Sequence, residues 1–196
     1  MRRPQHRRSG ARRRAGFTLI ELMVTIAIAA ILLLIAAPSF VAFQRNSELT
    51  SVANSFIAAV NTTRGEAMKV GRNAMAVPVD NNWSKGWTVF VDNNGDGLLT
   101  AGTDRIVLQQ DALASYFTAS GSGTAGLTPP YVLFDASGYA KTKTAGFGAL
   151  TLTIARNDLS GADQTAQTRR VVIAKTGRAR VCRPATDTTC TTSAEE

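Results

Sequence analysis

A long apolar run at residues 17–37 is the feature that most restricts how this chain can fold. Its 21 residues would form a helix about 31 Å long at about 1.5 Å per residue, which matches the hydrocarbon core of a bilayer. We therefore predict that the run spans a membrane. Residues 36–38, Ala-Ala-Pro, are only a weak candidate for a secretory cleavage site after it.

The sixteen residues before this run form a basic leader. Seven of them are arginine and none is acidic. By the positive-inside rule, the leader stays in the cytoplasm and the chain that follows the run is exported. The leader also carries most of the formal net charge of +8, because the remaining 180 residues hold 15 basic and 14 acidic side chains.

The positive charge of the exported part is concentrated in residues 169–183, which we call the basic strip. It contains six basic residues and no acidic one: Arg169, Arg170, Lys175, Arg178, Arg180 and Arg183. Such a run is either a solvated face or an anion-binding surface, and composition favours neither. If residues 178–181 are extended, Arg178 and Arg180 share a face about 6–7 Å apart, close to the spacing of adjacent phosphates on DNA. Lys175 and Arg183 would then widen the patch.

Cysteine and histidine are too few for a zinc site. Cys182 and Cys190 are the only cysteines, and the only histidine, His6, lies in the leader. Because structural zinc usually takes four such ligands, we predict no metal site of this type. If the domain lies outside the cytoplasm, a disulfide between the two cysteines is favoured over a reactive thiol pair.

Residues 92–97, DNNGDG, have the spacing of the first half of a calcium-binding loop. Asp92, Asn94 and Asp96 stand at alternate positions, but the twelfth position is Thr103 where an EF-hand needs Glu. Asn-Gly and Asp-Gly are also strong turn signals, so a hairpin turn is favoured over a calcium site. No histidine remains beyond the leader for nucleophilic catalysis, and we predict neither enzymatic activity nor a cofactor.

The apolar pattern continues past the run with helical spacing. Apolar residues recur three and four positions apart: Leu49, Val52, Ala53, Phe56, Ile57, Val60, Ala67 and Met68. Pro38 is expected to bend this helix and Gly71 to end it. The pattern predicts one helix from about residue 17 to about residue 70, with one apolar face against a core.

Short β-branched or aromatic segments follow the helix, separated by Gly, Asn, Asp and Pro. They are residues 74–79, 87–91, 105–109, 131–134, 149–155 and 169–174. One helix followed by several strands predicts an α+β fold with an antiparallel sheet. The Gly- and Ser-rich residues 118–130 are predicted to form a flexible loop.

Glu21 is the one charged residue within the apolar run. It is either a functional group that needs a partner or a side chain that reaches the membrane surface. With the leader and the run, residues 16–21, GFTLIE, resemble the processing motif of type IV prepilins and type II secretion pseudopilins. The resemblance implies that a prepilin peptidase cleaves between Gly16 and Phe17 and that the Phe17 amine is methylated. It also implies that Glu21 meets the N-terminus of a neighbouring subunit during assembly.

Residues 85–97, 131–140 and 171–182 are similar to segments of the GspH/FimT family of minor pilins and pseudopilins. This resemblance implies a type IV pilin-like fold, in which one long helix packs on an antiparallel sheet. The sequence Gly-Arg-Ala-Arg at 177–180 matches a pattern of FimT-type minor pilins. It implies DNA capture for natural transformation by Gly177, Arg178 and Arg180. The alternative is a structural or priming subunit of a pilus or of a type II secretion pseudopilus, without DNA binding.

Together these patterns divide the chain into five parts. They are the cleaved leader 1–16, the transmembrane half-helix 17–37, the soluble half-helix 38–70, the β-rich head 71–183 and the polar tail 184–196. The family resemblance implies a single pass through the bacterial inner membrane with the head in the periplasm. It also implies assembly with other pilins or pseudopilins into a filament.

Overall fold

The computed structural model describes residues 16–193, apart from the side chains of Ile35 and Pro38. All but one residue of the leader therefore lies outside the described part of the chain. The protein divides into two compact units, one up to Phe43 and one from Gln44 onward. Each is described by itself below.

A single long helix, α1, extends from Leu19 to Val70. At its start, the Thr18 hydroxyl accepts a hydrogen bond from the Glu21 amide at 3.2 Å, which satisfies a backbone donor of the first turn. At its end, Gly71 takes a φ of +70°, and its amide donates to the Ala67 carbonyl at 3.0 Å. This left-handed ending suits glycine, so the predicted end of the helix is confirmed.

Because α1 is bent between Leu34 and Ser39, its two straight segments count as separate helices. Among the described residues, no single straight helix is long and apolar enough to cross a membrane. The two segments Leu19–Leu34 and Ser39–Val70, taken together across a bend, meet the requirement of length and composition. Pro38 lies in the interval between them. A proline there removes a backbone donor and bends a helix without ending it.

The apolar face of α1 within the second unit is buried as its spacing predicts. Leu49, Ala53, Phe56 and Val60 are all inaccessible to solvent. Met68 is an exception, because its side chain is 54% exposed. The prediction that Met68 belongs to the core face is wrong. The neighbouring Ala67 is fully buried, and Met68 lies at the edge of that face, beside Gly138.

The head contains two four-stranded antiparallel sheets. The first has the order β3-β2-β1-β5, with β1 at Ala74–Pro78, β2 at Trp87–Val91, β3 at Arg105–Gln110 and β5 at Val132–Phe134. The second has the order β4-β6-β7-β8, with β4 at Phe117–Gly123, β6 at Leu150–Arg156, β7 at Thr168–Ile173 and β8 at Ala179–Cys182. A short helix, α2 at Gly161–Ala166, joins β6 to β7. The α+β prediction is confirmed.

Strand β4 lies where the sequence predicted a flexible loop, so that prediction is wrong. Its composition is unfavourable for a strand, but it pairs with β6 at every position from Phe117 to Gly123. Gly121 is needed there, because a Cβ atom at this position would lie 2.0 Å from the Ala125 carbonyl oxygen. Pairing and close backbone packing therefore outweigh the local preference of the small residues.

The core lies between α1 and the inner faces of both sheets. Phe56 of α1 makes edge-on contacts with two tryptophans, at centroid distances of 5.4 Å to Trp83 and 5.2 Å to Trp87. Leu152 and Val171 of the second sheet belong to the same buried cluster. Every described core residue belongs to the second unit, and this core fixes the backbone on which the basic strip is displayed.

Candidate nucleic-acid interface

The basic strip forms strands β7 and β8 and the turn between them. In this antiparallel pair, Val172 lies opposite Arg180 and Arg170 lies opposite Cys182. Residues opposite one another share a face, so these four side chains belong to the outer face of the second sheet. Val171 lies on the inner face and is part of the core. The sheet therefore divides the strip between two faces.

Arg169 lies on the inner side and is only 2% exposed. Its guanidinium donates to the Asn46 side chain at 2.8 Å and to the Thr168 carbonyl at 3.0 Å. Burial lowers the pKa of Arg169, because it disfavours the charged form. Arg169 therefore adds nothing to the outer face of the basic strip, and it ties β7 to α1.

The turn between β7 and β8 is anchored by its glycine. Gly177 has a φ of +82°, and a Cβ atom there would lie 2.3 Å from the Gly138 carbonyl oxygen. The Arg64 guanidinium donates to the Gly177 carbonyl at 3.3 Å, and the Lys175 carbonyl accepts from the Ala140 amide at 3.1 Å. The turn is thus held from two sides, by α1 and by the 135–140 turn.

Arg178 and Arg180 follow this turn directly. Arg178 is exposed and precedes the first residue of β8, whereas Arg180 is half-buried within that strand. The Arg180 guanidinium lies 3.4 Å from a carboxylate oxygen of Asp187 and donates to the Thr189 carbonyl at 3.1 Å. Arg180 therefore has an acidic neighbour with which a phosphate would have to compete.

A disulfide between Cys182 and Cys190 closes the loop that supplies these partners. Both cysteines are buried against Val172. The Arg170 guanidinium donates to the Cys190 carbonyl, and the Ser122 hydroxyl donates to the Thr192 carbonyl. The residues after β8 therefore lie on the outer face of the second sheet, and the predicted disulfide is present in the structure.

Asp187 is held as a carboxylate within this loop. The backbone amide and the hydroxyl of Thr189 donate to it at 2.9 Å and 2.7 Å. These hydrogen bonds, together with the nearby Arg180, lower the pKa of Asp187. The acid next to Arg180 is consequently ionised at all pH values near neutrality.

The remaining cations of the strip, Lys175 and Arg183, are both exposed. Arg64 was not predicted to be near this site, and its contact with Gly177 spans 113 residues of sequence. The helical spacing of α1 is enough to predict that Arg64 lies beside the buried face of the helix. No local pattern specifies which turn it would meet.

The DNNGDG segment is the first half of the loop at residues 92–104 that joins β2 to β3, so a long loop stands where a tight hairpin turn was favoured. The Asp92 carboxylate is buried and accepts from the amides of Gly95 and Gly97 at 2.7 Å and 2.9 Å. The Asp104 carboxylate accepts from the amides of Asn93 and Thr100 at 2.9 Å and 2.8 Å. These two carboxylates therefore stabilise the backbone of the loop. The loop is flanked by strands, whereas an EF-hand loop is flanked by helices.

The predicted processing and assembly residues lie at the beginning of α1. Gly16 and Phe17 precede the helix, and Phe17 is 82% exposed. Glu21 is exposed in the first turn of α1. These three residues belong to the first unit, whereas the basic strip belongs to the second.

Comparison with known proteins identifies relatives of both parts of the chain. The family described as Type II transport protein GspH matches residues 52–177, and the prokaryotic N-terminal methylation motif matches residues 11–37. No curated protein sequence matches the chain significantly.

The solved structures that share the fold include a minor pilin and a minor pseudopilin. The type IV minor pilin FimU of Pseudomonas aeruginosa is 23% identical with a TM-score of 0.52, over 71% of this chain and 92% of FimU. The minor pseudopilin EpsH from the type II secretion system of Vibrio cholerae is 16% identical with a TM-score of 0.50, over 71% of this chain and 98% of EpsH.

Proposed function

The chain belongs to the GspH family of type II transport proteins and is a minor pilin or pseudopilin, and from this premise we propose that it binds DNA for uptake in natural transformation. The binding surface is the turn and strand at residues 175–183. The anchored turn carries this proposal: Gly177 is fixed against Gly138 and Arg64. The backbone that presents Arg178 and Arg180 is therefore ordered before a ligand binds, which lowers the entropy lost on binding.

Arginine is suited to this role because its planar guanidinium grips two phosphate oxygens at once. Arg178 and Arg180 are the principal contacts, and Lys175 and Arg183 add charge on either side. Such contacts read the phosphate backbone and not the bases, so binding is independent of sequence. Four phosphate contacts give a slope of log K against log salt of about −3 to −4.

The N-terminal methylation motif implies processing by a prepilin peptidase and assembly with other pilins. We propose cleavage between Gly16 and Phe17, methylation of the Phe17 amine, and contact of Glu21 with the N-terminus of a neighbouring subunit. Within the apolar interior of a filament, a carboxylate is stabilised by such a cationic partner. The head then lies on the periplasmic side of the inner membrane until assembly.

The double variant Arg178→Gln/Arg180→Gln tests the DNA-binding proposal. We expect its affinity for duplex DNA to fall about tenfold or more, and the salt slope to become shallower by about 2, because two phosphate contacts are lost. Binding is measured by gel shift and fluorescence anisotropy with residues 17–196 in detergent micelles. The leader is omitted because its seven arginines would bind DNA themselves.

Lys69→Gln/Lys85→Gln is the matched control. It removes the same charge from two exposed lysines, which pair with Glu66 at 3.2 Å and with Asp80 at 3.0 Å. This control should leave affinity within about twofold of the unchanged protein. Equal binding by the arginine variant and the unchanged protein would contradict DNA binding, and a purely structural subunit would then be the better account.

Asp187→Asn is expected to tighten DNA binding by about two- to threefold, because a phosphate no longer competes with this carboxylate for Arg180. The Asn side chain still accepts from the Thr189 amide, so the loop is retained. Because its pKa is lowered, Asp187 is ionised at and above the usual aspartate value of about 4. The difference between the two proteins should therefore be constant from about pH 5 to 8 in anisotropy titrations. An unchanged affinity would show that Arg180 does not contact the ligand.

A further inference from the structure

Two exposed aromatic side chains, Tyr139 and Phe147, lie together on the surface of the head. Their ring centroids are 5.6 Å apart in an edge-to-face arrangement. Tyr139 is 43% exposed and Phe147 is 57% exposed. We call them the ring pair. Two large rings in contact with water are unusual for side chains that have only a packing role, because burial of aromatic surface is strongly favourable.

The ring pair adjoins the turn that carries the arginines. The Gly138 carbonyl oxygen lies 2.3 Å from the site of a Cβ atom on Gly177. On the other side of Tyr139, the Ala140 amide donates to the Lys175 carbonyl at 3.1 Å. Backbone contacts before and after Tyr139 thus hold this residue against the 175–177 turn.

A lysine contacts the ring pair. The Lys141 ammonium is 3.9 Å from the centroid of the Phe147 ring, and it is 3.6 Å from the Asp135 carboxylate. Residues 141 and 147 are also paired as an isolated antiparallel bridge. The strand-like pairing and the cation–π contact fix the Phe147 ring in place. The ring pair is therefore an ordered surface feature.

Solvent reaches both rings, since Tyr139 is 43% exposed and Phe147 is 57% exposed. Stacking of a nucleobase on such a ring is favourable for every base, because each base has a π-face. In a duplex the bases are already stacked on one another and are not available to a ring. Only a single strand can place phosphates on the basic turn and a base on the ring pair at the same time.

We propose that the turn at 175–180 and the ring pair form one surface that binds single-stranded DNA, with phosphates on Arg178 and Arg180 and an unpaired base stacked on Tyr139 or Phe147. This inference rests on the proposed function, because the arginines supply the contact with DNA. It adds a substrate class, since the protein then binds single strands more tightly than duplexes. The selectivity comes from the rings and the salt dependence from the arginines.

The test compares a 20-nucleotide oligothymidine with a 20-base-pair duplex by fluorescence anisotropy, using residues 17–196 in detergent micelles. For Tyr139→Ala/Phe147→Ala we expect affinity for the single strand to fall about fivefold or more. Affinity for the duplex should stay within about twofold, and the salt slope should not change because no charge is removed. Tyr139→Leu/Phe147→Leu, which keeps apolar bulk without a π-face, should show the same selective loss.

A second measurement locates the base directly. Oligothymidine with 5-iodouracil at single positions should crosslink under ultraviolet light to Tyr139 or Phe147, as identified by mass spectrometry of the peptides. The inference is overturned if both ring variants bind the single strand like the unchanged protein, if they lose both ligands equally, or if the crosslinks lie elsewhere. Ring variants that bind DNA normally but no longer enter filaments would show that the ring pair contacts another pilin subunit.

The two proposals fail in different ways. If Arg178→Gln/Arg180→Gln binds both ligands as well as the unchanged protein, DNA binding by the basic strip is wrong and this inference falls with it. If the arginine variant loses both ligands and the ring variants lose neither, the proposed function stands and only the single-strand preference is refuted.

Discussion

Gly177→Ala is expected to lower the free energy of unfolding of the head by about 2–4 kcal/mol. Two separate effects contribute to this loss. A φ of +82° is unfavourable for a residue with a Cβ atom. That atom would also lie 2.3 Å from a backbone oxygen of Gly138 and 3.1 Å from the Phe134 ring. Neither neighbour is the flexible end of a side chain, so backbone must move to relieve the overlap.

Gly95→Ala is the matched control for this substitution. Gly95 has a similar φ of +76°, but a Cβ atom there would meet nothing within 4 Å. It should lower the free energy of unfolding by only about 1 kcal/mol, the contribution of the backbone conformation alone. Thermal and urea unfolding of both variants measures the difference. Equal losses would mean that the close approach of the two turns is unimportant, and that the arginines are not held as described above.

Phe56→Ala is expected to destabilise the head most, by about 3–5 kcal/mol, which corresponds to a fall in Tm of roughly 10 °C. Phe56 is inaccessible to solvent and contacts both Trp83 and Trp87 edge-on. Truncation removes both ring contacts and leaves a cavity between α1 and the first sheet. Because the tryptophans cannot both collapse into that space, little of the loss is recovered by relaxation.

Calorimetry and urea titration provide the measurement for Phe56→Ala. Phe147→Ala removes the same atoms from a ring that is 57% exposed, and it should lower the free energy of unfolding by less than about 1 kcal/mol. Phe56→Leu should give an intermediate value, because it refills part of the volume. A loss of less than about 1 kcal/mol for Phe56→Ala would show that α1 does not close the core of the head.

The sequence predicted the elements whose signals are local. The helix that ends at Val70 follows from apolar spacing and from Gly71, and the strand at Trp87–Val91 matches its prediction residue for residue. Hydrophobic periodicity and glycine turn signals depend on the geometry of adjacent residues, so they can be read without knowledge of the fold. The α+β class followed from the order of these elements.

Strand β4 and the role of Arg169 were not predictable in the same way. The Ala, Ser and Gly residues at 119–123 have low strand preference, but they are extended because β6 pairs with all of them. Strand β6 lies about thirty residues further along the chain. Arg169 faces α1 because the register of β7 places the neighbouring Arg170 opposite Cys182 on the outer face. A shift of one residue would exchange the two arginines, and no local pattern specifies that register.

By itself, the amino-acid sequence determined the basic leader, the apolar run, the long helix and the candidate Gly-Arg-Ala-Arg turn. Each of these depends on the spacing of neighbouring residues or on the charge of a short segment. Only the tertiary structure decided which basic residues face outward, that Asp187 lies beside Arg180, and that Tyr139 adjoins the Gly177 turn. These relations arise from sheet register and from contacts between distant turns, which are set by how the whole core packs.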